Sequence, residues 1–431
     1  MTATGESWGR YPRARQQIVP LHWRDADLPP SATSVLAYGN GRSYGDVCLN
    51  DGGTLLHTRG LDRFIAFDPQ SGVLRCEAGV LFSQILAFAV PRGWFLPVTP
   101  GTQYITVGGA IANDVHGKNH HRSGTFGEHL RGFELLRSDG TRLHCSRDEN
   151  ADLFAATVGG LGLTGLIAWA EFTLKPIAGP WMACETLEFH GLREFFDLSA
   201  QSEAAHEYTV AWIDCAGSGA TFGRGLFMRA NHSTETRTLP HSRQLSVPLT
   251  PPLSLINRAT LHSFNALYFR STRRGPATVP YRPYFYPLDG VADLNRIYGP
   301  RGFLQYQCVV PPAGAEAAVA ELLRTIAASG SGSVLSVLKV FTDRPAAGIL
   351  SFPRAGTTLA LDFPNSGATT FELLERLDDI VVAAGGAVYP AKDARMRGDR
   401  FRRYFPRWEE MLAYVDPRFS SGFWRRVTQG S

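Results

Sequence analysis

Thr106-Val107-Gly108-Gly109-Ala110-Ile111-Ala112-Asn113-Asp114-Val115-His116-Gly117-Lys118-Asn119-His120-His121 is the most informative run in this chain. Its small residues predict a helix start beside Gly108-Gly109, whose free N–H groups suit a phosphate. The run then ends in three imidazoles and one lysine. A metal site built from His116, His120 and His121 is the rival reading. No dedicated carboxylate stands at ligand spacing, and the neighbouring glycines favour loop over helix, so no metal is expected.

A second run supports the phosphate reading. Gly39-Asn40-Gly41-Arg42-Ser43-Tyr44-Gly45-Asp46 follows the apolar strand candidate Val35–Tyr38. Its glycines let backbone amides approach an anion, and Arg42 adds charge, so a diphosphate is a sensible guest. This is no Rossmann loop. The third glycine comes one residue late, and the chain continues through Leu49-Asn50-Asp51-Gly52-Gly53 into another strand rather than a helix. A third cluster, Gly159-Gly160-Leu161-Gly162-Leu163-Thr164-Gly165, precedes a further strand. Three such clusters imply an elongated ligand lying against backbone at several points.

The 431 residues, 44% hydrophobic and 19% charged, predict two or three domains with a large core and exclude wholesale disorder. The basic residues are unevenly split, since Lys118, Lys175, Lys339 and Lys392 are the only lysines among 43 Lys and Arg. Arginine drift in a GC-rich genome explains the bias. A lysine retained against it is a candidate for work that needs a compact ammonium with a movable pKa. Lys175 reads as ordinary surface. Six scattered cysteines without a Cys-x-x-Cys pair argue against zinc, iron–sulfur and disulfide scaffolds. No secretory signal and no long apolar stretch is visible, so a soluble cytoplasmic protein is expected.

The pattern is α+β. Strands are predicted at Val35–Tyr38, Thr54–His57, Val73–Glu77, Phe133–Arg137 and Val334–Phe341. Helices are predicted at Leu81–Val90, from an Asn150 cap to Val158, and at Ala315–Ala328 and Phe371–Ala384. Between Thr221 and Tyr284 stand nine arginines and one acid, Glu235, interleaved with prolines and aromatics. The proline density predicts loops and argues against a DNA-reading helix, so no nucleic acid is expected. An Arg- and aromatic-rich surface of this kind suits a phosphate headgroup or anionic lipid, a peripheral membrane contact.

The glycine runs and the HGKNHH element resemble the FAD-binding domain of the vanillyl-alcohol oxidase/p-cresol methylhydroxylase flavoproteins. Later elements narrow the resemblance to the decaprenylphosphoryl-β-D-ribose 2-oxidase family. They are Tyr286-Pro287-Leu288-Asp289-Gly290, Leu304-Gln305-Tyr306-Gln307, Val337-Leu338-Lys339-Val340-Phe341, Leu361-Asp362-Phe363-Pro364 and Tyr389-Pro390-Ala391-Lys392-Asp393. The resemblance runs from about Gly39 to Asp416. It implies a two-domain flavoprotein: a p-cresol methylhydroxylase-type FAD-binding domain from residues 1–179 and 387–431, enclosing an antiparallel-sheet substrate domain at 180–386.

The same resemblance implies residue roles. Backbone from Tyr38 through Gly39, Asn40, Gly41, Arg42, Ser43, Tyr44, Gly45 and Asp46 would hold FAD. So would Gly101, Thr106, Val107, Gly108, Gly109, Asn113, Asp114, Val115 and His116, with Ile167 and Tyr389 closing around the cofactor. Arg42 stands where covalently flavinylated relatives carry histidine, so the FAD is expected to be non-covalent. Hydride transfer from a carbinol carbon to flavin N5 calls for positive charge nearby, from Lys392 or Lys118. His116 and Tyr44 are next in line for proton handling or ring packing. Tyr286, Gln305, Gln307, Lys339, Thr358, Ala360 and Lys392 would line the sugar-phosphate pocket, with Lys339 meeting the phosphate.

Ala360 replaces a family cysteine beside the flavin, and Thr358 replaces an asparagine. The implied activity is oxidation of the 2-hydroxyl of a polyprenyl-phosphate ribose in cell-envelope biosynthesis, with a separate ketoreductase completing an epimerisation. A soluble sugar, alditol or aminocyclitol glycoside is the alternative substrate, and a non-catalytic flavin- or lipid-binding module the alternative class.

Overall fold

The computed structural model describes residues 5–240 and 244–429. Its largest sheet has eight strands, in the order Gly275–Pro280, Trp181–Phe189, Gly225–His232, Tyr208–Ile213, Ser336–Phe341, Gly356–Pro364, Phe303–Val310 and Ala387–Val388. Every neighbouring pair is antiparallel. Ala387–Val388 pairs with Cys308 and Val309, so the sheet runs two residues past the expected boundary at 386.

Side chains alternate between the two faces of a strand, and this sheet uses both. One face carries Leu304, Tyr306 and Cys308, Leu338, and Leu359, Leu361 and Phe363. They share a core with Leu322, Leu323 and Ile326 of the Ala315–Ser329 helix and Leu373, Leu374 and Leu377 of the Ala368–Ala383 helix. The opposite face carries Gln305, Gln307, Val337, Lys339, Thr358, Ala360 and Asp362, and it forms the floor of the large cavity described below. The register sets Gln305 across from Asp362, Gln307 across from Ala360 and Lys339 across from Thr358. Three sequence elements distant in the chain thus become one polar surface.

The N-terminal elements form a three-stranded parallel sheet, Gln17–Pro20, Thr54–His57 and Val35–Tyr38, and a five-stranded antiparallel sheet. The latter contains Val73–Glu77, Leu166–Thr173 and Leu130–Leu136, with the Phe82–Ala89 and Val107–Ala112 helices packed into its core. The C-terminal tail returns to these elements. Val35 donates its N–H to the Arg418 carbonyl and accepts from Ser420 N. Arg426 pairs with both Asp46 and Asp393.

Three local expectations fail. Asn150 provides no side-chain cap: it sits at φ 51° and its amide donates to the His144 carbonyl instead. The Arg-rich stretch is not all loop, since it contains the Gly225–His232 strand, the Arg258–Ser271 helix and the Gly275–Pro280 strand. Its prolines sit where regular structure tolerates them. Pro248, Pro251 and Pro252 precede the helix, and Pro276 and Pro280 lie on the edge strand of the sheet, where a missing N–H costs little. Lys175 is not free surface either, being half-buried and paired with Glu207.

Candidate active site

A cavity of about 1500 Å³ lies between the N-terminal sheets and the polar face of the eight-stranded sheet. The loop after Val35–Tyr38 forms one wall. Gly39 packs so closely on Thr106 that a Cβ there would lie 2.4 Å from the Thr106 hydroxyl, and Gly41 adopts φ +60°. Asn40 Nδ2 donates to the Tyr104 carbonyl at 2.7 Å, pinning the loop to the neighbouring segment. Among the described residues, no acceptor takes the N–H groups of Asn40, Gly41, Arg42 or Ser43. The Arg42 guanidinium stacks 4.2 Å from the Trp8 ring centroid and its Nε is buried without a partner, as is Asn113 Oδ1. Unpaired donors on a glycine-shaped loop, a half-buried guanidinium and a cavity of this volume fit a dinucleotide with a diphosphate.

The helix start at Gly108-Gly109 behaves differently from expectation. Val107 N donates to the Val80 carbonyl, Gly108 N to the Ala78 carbonyl and Gly109 N to Thr106 Oγ1. The first turn is therefore saturated by the protein, and the unpaired amides belong to the 40–43 loop. Gly101, Thr106, Gly108, Gly109, Asn113, Val115, His116, Ile167 and Tyr389 all line the cavity. Gly45, Asp46, Val107, Asp114 and Tyr286 do not. Asp46 is held by Arg426 at 2.6 Å, and a Cβ on Gly45 would strike the Asp393 carbonyl. Val107 is in the core, Asp114 accepts from Ser351 Oγ and Gly127 N, and the Tyr286 hydroxyl meets Thr99 Oγ1. These five support the wall from behind.

The three imidazoles diverge. His121 Nε2 meets the His206 carbonyl, and His120 packs tilted against Phe341 with ring centroids 4.3 Å apart. His116 alone faces the cavity, its Nε2 2.9 Å from Gln307 Nε2 and its Nδ1 3.3 Å from Lys339 Nζ. Burial, then the Lys339 charge, hold its pKa well below the usual histidine range, so the ring is neutral. Gln307 also donates to Thr358 Oγ1. A neutral ring satisfies this chain in two ways: an uncharged Lys339 accepts from Nδ1–H, or a charged Lys339 donates to Nδ1 while Gln307 turns its carbonyl towards Nε2–H. Burial, with Lys118 and Lys392 nearby, pushes Lys339 down to about 7, which brings both arrangements within reach near neutrality.

Three of the four lysines enter the same cavity wall, but in different states. Lys118 donates to the carbonyls of Tyr284 and Phe285, which ties the 281–286 segment to the HGKNHH loop and commits two of its three donors. Lys392 Nζ lies over the Tyr44 ring, and burial pulls its pKa down while Asp362 counters that shift. Asp362 is buried, accepts from Gln305 Nε2 at 2.6 Å, and has its own carboxyl raised by burial. Sequence reasoning gave Asp362 no role. Strand periodicity contains the signal, because Thr358, Ala360 and Asp362 alternate onto one face.

A buried cavity with a glycine-loop anion wall and a floor of amide, ammonium and carboxyl groups is the site of a cofactor-dependent enzyme, an FAD-dependent oxidoreductase. A family profile described as an FAD binding domain matches residues 30–146, the segment that forms the glycine-loop wall. Decaprenylphosphoryl-β-D-ribose oxidase of Mycolicibacterium smegmatis is 36% identical over 420 residues, covering 91% of this chain and 89% of the relative. The chain belongs to the family of that oxidase. An uncharacterised Streptomyces coelicolor protein is 34% identical, covering 81% of this chain and 100% of its own length. Human Δ(24)-sterol reductase is 33% identical over 109 residues only, 25% of this chain and 21% of its own.

Proposed function

We propose that this FAD-dependent oxidoreductase converts a sugar ring hydroxyl to a ketone, and that its substrate is the 2-hydroxyl of a polyprenyl-phosphate ribose. One observation carries the reading: Asp362, Gln305, Gln307 and Lys339 share one face of one sheet, and Lys392, on the turn after its last strand, lines the same cavity beside the anion-binding loop. That arrangement supports a division into a flavin part, 1–179 with 387–431, and a substrate part, 180–386, although Ala387–Val388 still pair within the substrate sheet.

Bound FAD supplies hydride acceptance, held by the 39–44 loop, Arg42, Asn113 and the 161–167 turn without a covalent link. The chain's own residues do the rest. Lys392 donates a hydrogen bond to the hydroxyl and keeps positive charge in the site. Asp362, made more basic by burial, takes the hydroxyl proton. Tyr44 packs under the Lys392 ammonium, Gln305 and Gln307 orient the ring, and neutral His116 sets the position of Gln307. Lys339, fully charged below about pH 7, meets the phosphate. The product is a 2-keto sugar, which a ketoreductase partner would reduce to complete an epimerisation.

No helix among the described residues is long and apolar enough to cross a membrane. A lipid-linked substrate would be reached by peripheral contact through the 221–284 region. Anaerobic bleaching of the yellow protein tests the reading. Reduction by polyprenyl-phosphate ribose supports it. Reduction only by free polyols or aminocyclitol glycosides assigns a soluble substrate, and no reduction by any of these assigns a non-catalytic module.

A further inference from the structure

The mouth of the cavity is built from two elements that turn apolar side chains outward. The first is a strap from Gln244 to Ile256. Its backbone is tied inward to the 291–297 segment: Leu245–Ser246 pairs with Val291–Ala292, Val247 N donates to the Ala292 carbonyl, and Leu255 N to that of Ile297. With the backbone committed inward, the leucines have nowhere to be covered. Leu249 and Leu253 are each 78% exposed and Leu245 is 70% exposed. The second element is the Arg258–Ser271 helix, which buries only Leu261 and Asn265 and leaves Leu267 66% exposed. The inner sides of both elements contribute Ile256, Phe264 and Tyr268 to the cavity lining. The uncovered apolar surface is therefore the rim of the site.

Charge selects the occupant. From Thr236 to Leu288 the chain holds no Asp or Glu. Arg258 and Arg270 on the helix and Arg273 just beyond it are exposed, and none makes an ion pair among the described residues. A second copy of the same surface would set arginine against arginine with no acid to neutralise it. Exposed leucines among uncompensated cations suit an interface that is apolar within and anionic at its surface.

We propose that the Gln244–Ile256 strap and the outer face of the Arg258–Ser271 helix dock on an anionic lipid bilayer, with the cavity mouth facing the lipid. The leucines enter the headgroup and acyl boundary, and the arginines meet lipid phosphates. A lipid-linked sugar then passes into the cavity while its tail stays in the bilayer. The proposal rests on the lipid-linked reading of the substrate for its purpose, but its test is separate.

The holoenzyme is sedimented with phosphatidylcholine vesicles, with and without phosphatidylglycerol, at low salt. Wild type pellets with the anionic vesicles and is released by salt. Leu249→Asp/Leu253→Asp and Arg270→Glu/Arg273→Glu each lower the partition coefficient at least about tenfold, while both keep bound flavin. Wild type remaining in the supernatant overturns the proposal, as does pelleting of the leucine variant like wild type. Binding to a polyglutamate column without binding to vesicles also overturns it, in favour of an acidic protein partner. Vesicle binding without flavin bleaching by lipid-linked ribose leaves the docking surface standing and removes the substrate reading. Bleaching by the detergent-solubilised substrate without vesicle binding does the reverse.

Discussion

The Lys392 ammonium nitrogen lies 4.1 Å from the centroid of the Tyr44 ring, joining the C-terminal return of the chain to the first glycine loop. Among the described residues no oxygen accepts from Lys392 Nζ, so its N–H donors face the cavity. The ring face and the nearby Asp362 charge hold the ammonium without consuming those donors. Lys392→Ala should retain its yellow flavin and lose substrate-dependent bleaching by about 10²–10⁴-fold. Near-normal turnover would remove Lys392 from the mechanism.

Asp362 should set the acid limb of the reaction. A base must be unprotonated to accept a proton, so the rate of flavin reduction rises with pH through the raised Asp362 pKa. Asp362→Asn keeps the shape and abolishes the base. The expected result is a fall of about 10²-fold together with loss of that limb from the pH–rate profile. A variant that slows the reaction but keeps the limb would make Asp362 a positioning residue for Gln305 and Lys392.

Buried ammonium groups leave a mark on stability. Lys118 and Lys339 are both pushed to about 7, against an ordinary 10.5. Between about pH 7 and pH 10 the unfolded chain holds protons that the folded chain has released, so stability rises with pH across that window. The contribution is at most about 1.4 kcal/mol per pH unit for each lysine. Lys339→Met should reduce the slope of melting temperature against pH, and an unchanged slope would mean that Lys339 stays charged in the fold.

Arg42 offers a guanidinium where covalent flavinylation would need a nucleophilic imidazole. Acid precipitation of the holoprotein should release all of the flavin into the supernatant. Colour retained in the pellet would contradict the non-covalent reading.

Thiol chemistry gives a sharper probe of Ala360. Cys48 and Cys184 also line the cavity, but burial raises both thiols, Cys48 to about 12, and leaves little thiolate at neutral pH. Wild type should resist cavity-directed thiol reagents, whereas Ala360→Cys should become sensitive and show one added mass per chain. Inactivation of wild type at the same rate would place a reactive thiol elsewhere in the site.

The local sequence determined the elements and the chemistry of the walls. Val35–Tyr38, Thr54–His57 and Val73–Glu77 are strands with the predicted bounds, because short apolar and β-branched runs between turn formers are too short for helices and leave few other ways to bury them. The glycine loops were legible because close backbone approach leaves a compositional trace. Three of the four rare lysines, Lys118, Lys339 and Lys392, lie at the cavity.

What the sequence could not decide was partnership. Whether an N–H beside Gly108-Gly109 is free depends on Ala78 and Val80, which close on it only in three dimensions. Lys118 and Lys392 look alike as isolated lysines, yet one is committed to the Tyr284 and Phe285 carbonyls and the other is left facing the cavity. Asp362 acquired its role through strand register, which sets it opposite Gln305 and near Lys392. Register and closure are properties of distant segments meeting, and a residue's charge state in the site follows from them rather than from its neighbours in sequence.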